Sequence, residues 1–209
     1  MPKGSEERTN ARKEEIINAC AQLYETMSFK EITIKESGRV TSFTRTAVYN
    51  YFHTKEEIFL ALLQREYDLW SDDLEEMLQS CEKMTADRFA DRLSLTLEKR
   101  GRMLRLLSMN HYDMESNSRI ENLTEFKKSY GRSLQTVTRC LEKFFPGMSE
   151  KDIRQFLYAF FPFLFGVYPY TAVTEKQKQA MRQAGIDFPD LSIRGVTYDF
   201  VRKLLVEDE

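Results

Sequence analysis

Apolar residues recur at intervals of three and four along most of the chain, which is the period of an amphipathic α-helix. The first such segment covers about residues 9–27 and places these residues on one face: Ile16, Ile17, Ala19, Cys20, Leu23, Tyr24 and Met27. The chain has only 5 prolines and 8 glycines, and no alternating run is long enough for a strand. The pattern therefore predicts an all-α protein, with a polar and mobile tail up to about Arg8.

A longer segment runs from Thr54 to about Cys81, and at 1.5 Å per residue it would be about 40 Å long. Its apolar face comprises Ile58, Phe59, Leu62, Leu63, Tyr67, Trp70, Leu74, Met77 and Leu78. Further helices are predicted at residues 85–107 (interrupted near Gly101), 118–145, from 149 onward, 174–184 and 190–206. The period fails around residues 110–113, so His111 is expected in a loop-like break.

Residues 42–55 contain no acid and combine hydroxyl, phenol and cationic side chains. Helical spacing puts Phe43, Ala47 and Val48 on one side of this stretch and leaves the polar residues on the other. Such a short exposed helix suits a DNA major groove and its flanking phosphates. The alternative is an ordinary surface helix with solvated charges.

Two capping boxes flank this stretch. Thr33 is followed by Glu36 and Thr54 by Glu57, the spacing in which the hydroxyl and the carboxylate cap a helix reciprocally. The order is then a helix start at Thr33, a turn near Thr41, a short helix to about Tyr51 and the long helix. This order indicates a helix-turn-helix unit.

About residues 12–61 resemble the DNA-binding domain of the tetracycline-repressor (TetR) family. The matching residues are Ile16, Ala19, Leu23, Phe29, Thr33-Ile34, Ala47-Val48-Tyr49, Tyr51-Phe52 and Thr54-Lys55-Glu56-Glu57. The resemblance implies a DNA-binding domain over residues 1–56 and a helical ligand-binding and dimerisation domain over residues 57–209. It further implies a homodimeric, ligand-responsive repressor of a pseudo-palindromic double-stranded operator, with an unknown small-molecule effector.

Within this resemblance Arg45 is expected to read a base edge, and Thr44, Thr46 and Asn50 to make adjoining contacts. The residues expected to contact DNA phosphates are Thr33, Tyr49, Tyr51, His53 and Lys55. The sequence departs from the family pattern at Ser37-Gly38 and at Ser42-Phe43. Ser37 and Gly38 should weaken their helix, and Phe43 is expected to fill the volume that Ser37 leaves.

The charge distribution fits a local DNA-binding surface rather than a polycation. The net charge is −2, and residues 1–56, with nine Lys/Arg and eight Asp/Glu, carry +1, which leaves −3 for the rest. No signal peptide precedes the first helix, so a cytoplasmic protein is expected. The three cysteines are far apart and suggest neither a zinc site nor a redox pair.

No cofactor and no enzymatic activity are expected. The sequence has no Gly-rich phosphate loop, no metal-ligand spacing and no plausible nucleophile–base pair. The competing interpretation is a helical scaffold, or a small-molecule-binding protein, that does not bind DNA. Such a protein would not need the acid-free stretch with its two capping boxes.

Residues 156–173 form the most apolar run and contain eight aromatic side chains. A membrane span is rejected because Pro162 and Pro169 would each free a backbone carbonyl in lipid. The run is instead predicted to provide core, one face of a dimer seam (residues 153–168 with 190–206) and the wall of an apolar pocket. The predicted pocket residues are Tyr67, Trp70, Met103, Leu107, His111, Phe126, Tyr130, Phe161 and Phe165.

Overall fold

The computed structural model describes residues 3–41 and 44–205, and within them every regular element is an α-helix. The all-α prediction is therefore confirmed, including the long helix that follows the helix-turn-helix. The helices are α1 Lys3–Thr26, α2 Ile34–Arg39, α3 Arg45–Tyr49, α4 Lys55–Gln79, α5 Ala86–Glu98, α6 Gly101–Ser116, α7 Ile120–Phe144, α8 Glu150–Thr171, α9 Glu175–Gln183 and α10 Ile193–Leu205.

The chain divides into two compact units. The first comprises Met1–Arg65 and Asn110–Ser129, and the second comprises Glu66–Met109 and Tyr130–Glu209. These units are defined by internal packing, whereas the predicted boundary between residues 56 and 57 separates functions, and that boundary stays a prediction.

The core of the first unit forms around Phe59 of α4, which is fully buried. Its ring meets Tyr24 edge-on at 5.3 Å between centroids and Phe29 at 4.9 Å. Ile16 and Cys20 of α1 are fully buried as the apolar stripe predicts. Aromatic pairs in this geometry add to the stabilisation that burial alone provides, so α1 and α4 are held together around one ring cluster.

Helix α1 begins at Lys3, well before the predicted start, so the expectation of a mobile tail up to Arg8 was wrong. Residues 3–15 contain four Lys or Arg residues and four Glu residues, all good helix formers.

Ser37 is fully buried on α2, where the family pattern has a large aliphatic residue. Its hydroxyl donates to the Thr33 carbonyl at 3.1 Å and lies 3.0 Å from the Cys20 sulfur. Since the single hydroxyl proton goes to Thr33, the Cys20 thiol is the donor to Ser37. Burial raises the pKa of this thiol to about 11, which keeps it protonated. Phe43, expected to fill this site, lies outside the described residues.

The second unit packs aromatic rings from α4, α7 and α8 against each other. Trp70 is fully buried, and its indole N–H donates to Thr96 of α5 at 3.0 Å. Its ring lies 6.4 Å from Phe160 and 6.0 Å from Phe161 between centroids. All the residues predicted on the apolar face of α4 are buried.

Helix α10 packs on α5 and α8. Phe200 stacks on Phe163 of α8, with centroids 4.2 Å apart and the rings inclined by 11°. On the other side, Arg194 pairs with Asp91 of α5 at 2.6 Å. Helix α10 begins at Ile193 rather than near Pro189, because the Ser192 hydroxyl accepts the Gly195 N–H at 3.0 Å and caps the helix there.

Helix α6 continues to Ser116, so the predicted break around His111 was wrong. Leu107, His111 and Met114 follow one another at four and three residues and keep a common face, and Met114 is fully buried. The polar residues between them make this period difficult to recognise in the sequence. The predicted interruption near Gly101 is confirmed, since α5 ends at Glu98 and α6 starts at Gly101.

Helix α8 starts where the sequence predicts, with a complete capping box between Ser149 and Asp152, and it continues through Pro162 and Pro169. Helix α9 has a second capping box, between Thr174 and Gln177, and ends before Gly185, which adopts φ +69°. In the described part of the chain no single helix is long and apolar enough to cross a membrane. Only the bent pair of α8 and α9, 80° apart, meets both criteria together.

Candidate DNA-binding site

Helices α2 and α3 form a short helix, turn and short helix, and each is capped by a threonine. The Thr33 hydroxyl accepts the Glu36 N–H at 3.2 Å, and the Thr44 hydroxyl accepts the Ala47 N–H at 3.3 Å. Val48 is fully buried and anchors α3 in the first unit. α2 packs against both α1 and α3. Local caps and one buried side chain thus fix a helix of only five residues.

Six of the predicted contact residues have exposed side chains: Thr33, Thr44, Thr46, Tyr49, Asn50 and His53. Tyr51 and Lys55 are half-buried, and the side chain of Arg45 lies outside the described part of the structure. Tyr49 is the largest of the exposed side chains, with 39% of its surface accessible. The predicted outward face of α3 is therefore exposed to solvent at each position that is described.

Two of the predicted phosphate contacts are also held by the protein itself. The Lys55 ammonium donates to the Phe29 carbonyl at 2.7 Å and lies 4.3 Å above the centre of the Phe29 ring. An ammonium group has three donors, so this bond leaves capacity for a phosphate. The Tyr51 hydroxyl accepts a hydrogen bond from Arg12 of α1 at 3.4 Å. Both side chains are thus oriented by α1 and its exit.

The two predicted capping boxes are only half formed. At each, the threonine hydroxyl accepts the N–H three residues on, as predicted, at 3.2 Å for both Glu36 and Glu57. The Glu36 carboxylate, however, accepts the Thr33 hydroxyl, and the Glu57 carboxylate accepts the His53 N–H at 2.7 Å. Both glutamates thus reach groups other than the N-cap N–H that the box requires.

Glu57 accepts three further bonds, all from Arg119 at the start of α7: from Nε at 2.6 Å, Nη2 at 3.0 Å and the backbone N–H at 3.1 Å. Burial alone would raise the pKa of this carboxyl, but the hydrogen bonds from Arg119 and from the His53 N–H outweigh it, and the pKa is lowered. The stabilisation is therefore present above the ordinary pKa of Glu and is lost as the pH falls through the lowered value.

Sequence reasoning missed Arg119 altogether. Arg119 is separated from Glu57 by 62 positions, and no local pattern pairs them. The only signal was a capping glutamate followed by a long apolar helix, which says nothing about a distant arginine.

Four of the predicted pocket residues meet in the second unit. Tyr130 lies 5.7 Å from Tyr67 and 5.5 Å from Phe161 between ring centroids, and Trp70 contacts both Tyr67 and Phe161. In the same unit Met103 and Leu107 are buried, and Phe165 is half-buried. These rings lie in mutual contact, and their role as a pocket wall stays a prediction.

The other two predicted pocket residues, His111 and Phe126, lie in the first unit. Their rings are 6.4 Å apart, and the His111 Nε2 lies 3.2 Å from the Glu115 carboxylate. Burial lowers the pKa of His111, Glu115 raises it, Lys127 lowers it, and the net shift is downward. His111 is thus a half-buried helical residue rather than the loop residue that the sequence predicted.

A helical chain that carries a helix-turn-helix at its N-terminal end and a larger helical unit after it has the architecture of a transcriptional regulator. The family model described as "Tetracyclin repressor-like, C-terminal domain" matches residues 64–199. The chain belongs to this family, and the resemblance seen in the sequence is confirmed.

The fold is also similar to a solved structure, that of the fatty acid degradation regulator FadR from Bacillus halodurans. The TM-score is 0.59 at 13% sequence identity, over 93% of this chain and 94% of that chain. No curated protein sequence matches the chain.

Replacing Thr33 by Ala should lower the free energy of unfolding by about 1 kcal/mol, because the cap of α2 is lost. Thr33→Asp keeps a capping oxygen and should retain most of that stability, which urea unfolding would measure. Thr174→Ala removes the same kind of cap from α9, which buries none of its residues, and should leave the unfolding midpoint unchanged. Equal losses for Thr33→Ala and Thr174→Ala would contradict the role assigned to the α2 cap.

Proposed function

We propose that this regulator is a homodimeric, ligand-responsive repressor that binds a pseudo-palindromic DNA operator through α2 and α3. The observation that carries the proposal is the exposed, acid-free face of α3, held by the Thr44 cap and the buried Val48. Two such faces related by a dimer axis would read two half-sites about 34 Å apart.

The contacts divide into base reading and phosphate positioning. Arg45, at the first position of α3, is assigned to a base edge, most naturally guanine, with Thr44, Thr46 and Asn50 beside it. The groups at the flanks of α3 are assigned to phosphates: Thr33, Tyr49, Tyr51, His53 and Lys55.

Selection from random duplexes should return a palindromic site, and Arg45→Ala should relax its sequence preference at one position per half-site. The expected loss is about 1–3 kcal/mol of discrimination at that position. Lys55→Ala should instead weaken binding to every sequence alike and reduce the slope of log K against log salt by about one. Recovery of no common site from the selection would contradict the proposal.

The dimer is proposed to form through residues 153–168 and 190–206. On α8, exposed residues recur every four positions at Tyr158, Pro162, Gly166 and Tyr170, and the tyrosines are 78% and 63% accessible. Exposed tyrosines on one helix face are typical of an interface, where Tyr is enriched. Leu204 and Val196 of α10 are half-buried and add apolar surface.

Leu204→Glu should shift the protein from dimer to monomer in sedimentation, because it places a charge in the proposed seam. Phe200→Glu is a weaker test, since Phe200 stacks on Phe163 within the chain. Ile186→Glu provides a matched control: Ile186 is exposed and lies off both helices, so its dimer mass should be retained. A dimer mass for Leu204→Glu equal to wild type would place the seam elsewhere.

An apolar effector is proposed to bind in the C-terminal domain beside the ring cluster of Tyr67, Trp70, Tyr130 and Phe161. Aromatic and Met side chains line apolar sites, and the Tyr130 hydroxyl could supply an orienting hydrogen bond. Helix α4 starts directly after the α3 segment and carries Trp70, so a shift of this helix would change the spacing of the two α3 helices. A ligand achieves this only by binding the DNA-incompetent state more tightly.

Trp70 is the only tryptophan and so reports on this cluster. A panel of apolar and cationic compounds should contain some that change Trp70 fluorescence and also release operator DNA. Fatty acids belong in the panel, because the similar structure is described as a regulator of fatty acid degradation. Compounds that change the fluorescence at saturation yet leave operator affinity untouched would show binding without the proposed coupling.

A further inference from the structure

The segment between α3 and α4 is tied to the turn between α6 and α7 on both sides, within the first unit. The Thr54 hydroxyl donates to the Asn117 carbonyl at 3.1 Å, and the Arg119 Nη2 donates to the Tyr51 carbonyl at 3.4 Å. Between these two bonds lies the Glu57 carboxylate, 1% accessible, which binds both the His53 N–H and the Arg119 guanidinium. The proposed DNA contacts make no use of Asn117 or Arg119.

The geometry of the guanidinium is specific to arginine. Nε donates to one Glu57 oxygen and Nη2 to the other, so the pair is bidentate. A planar fork fixes orientation as well as distance, which an ammonium cannot do. Removing Arg119 would leave the buried Glu57 carboxylate without its charged partner, so this interaction favours one arrangement of the chain.

That arrangement affects DNA binding because residues 51–55 include proposed phosphate contacts. Three of the five proposed phosphate contacts, Tyr51, His53 and Lys55, lie within or beside the segment that Arg119 and Glu57 hold. Glu57 binds the backbone N–H of His53 directly, and Arg119 binds the backbone carbonyl of Tyr51. A displacement of the pair would therefore move the backbone from which these side chains project.

We propose that Arg119 is a positioning residue for DNA binding, which acts through Glu57 to hold residues 51–55 in the arrangement that meets the phosphates. This inference rests on the proposed function of α2 and α3. It also makes the turn before α7 part of the DNA-binding machinery, although no residue of that turn is assigned a contact with DNA.

The Arg119 side chain is 42% accessible, so it could also contact a DNA phosphate directly. The test must distinguish this direct contact from the positioning role. Arg119→Lys does this, because it keeps the positive charge and loses the fork. Arg119→Gln removes both, and Glu57→Gln removes the acceptor charge while leaving Arg119 in place. Arg132→Gln is a matched control in the second unit, where Arg132 is 43% accessible and pairs with Asp72 at 2.7 Å.

Affinity for the duplex selected by the wild-type protein is measured across a salt series, beside thermal unfolding. Arg119→Lys, Arg119→Gln and Glu57→Gln should each bind about tenfold more weakly, within the usual range of coupling between sites. The Arg119→Gln, Glu57→Gln double variant should be no weaker than the single variants, because both remove the same pair. The salt slope and the base preference should stay those of wild type, and Arg132→Gln should bind normally.

Two results would overturn the positioning role while leaving the proposed function intact. Near-normal binding by Arg119→Lys, with a salt slope lowered by about one in Arg119→Gln, would make Arg119 a phosphate contact. Unchanged affinity in all three variants, with lowered unfolding temperatures, would make the pair purely structural. A wild-type protein without any preferred duplex would remove the proposed function and this inference together.

Discussion

The first unit depends on one buried carboxylate. Glu57 lies at the start of α4, and a charge there would be costly without compensating donors. Its four hydrogen bonds come from Arg119 and from His53. Two parts of the chain that are 62 residues apart therefore meet at this carboxylate. This pairing is one of the contacts that join residues 110–129 to the N-terminal residues in the first unit.

Most of the helices could be predicted because their signals are local. An apolar period, a Thr or Ser cap and a terminating Gly lie within a few residues of each other, as at Ser149, Thr174 and Gly185. The errors arose where the local signal was weak. The period of α6 passes through His111, a polar residue on the buried face, and the N-terminal start of α1 depends on helix propensity without any apolar stripe.

The candidate site could likewise be predicted only where its features are local in the sequence. The outward face of α3 follows from helical spacing around Val48, whereas the Glu57 and Arg119 pair follows from tertiary structure alone. Ser37 shows a related limit. Its buried hydroxyl is hydrogen-bonded to Thr33 and Cys20, so a polar residue can occupy this position without an unpaired group. No pattern in the sequence predicts these two hydrogen bonds. For Tyr67, Trp70 and their neighbours, composition cannot distinguish a core from a pocket wall, because both are apolar and aromatic.

The α3 face is proposed to be the surface that meets DNA, and hydroxyl-radical footprinting of the protein tests this most directly. Tyr49 and His53 are exposed on the proposed face, while Tyr112, 82% accessible, and Met109, 61% accessible, are exposed on α6 and serve as internal standards. On addition of the selected duplex, oxidation of Tyr49 and His53 should fall while that of Tyr112 and Met109 stays constant. Protection of Tyr112 or Met109 with Tyr49 and His53 still fully oxidised would place the DNA on another surface.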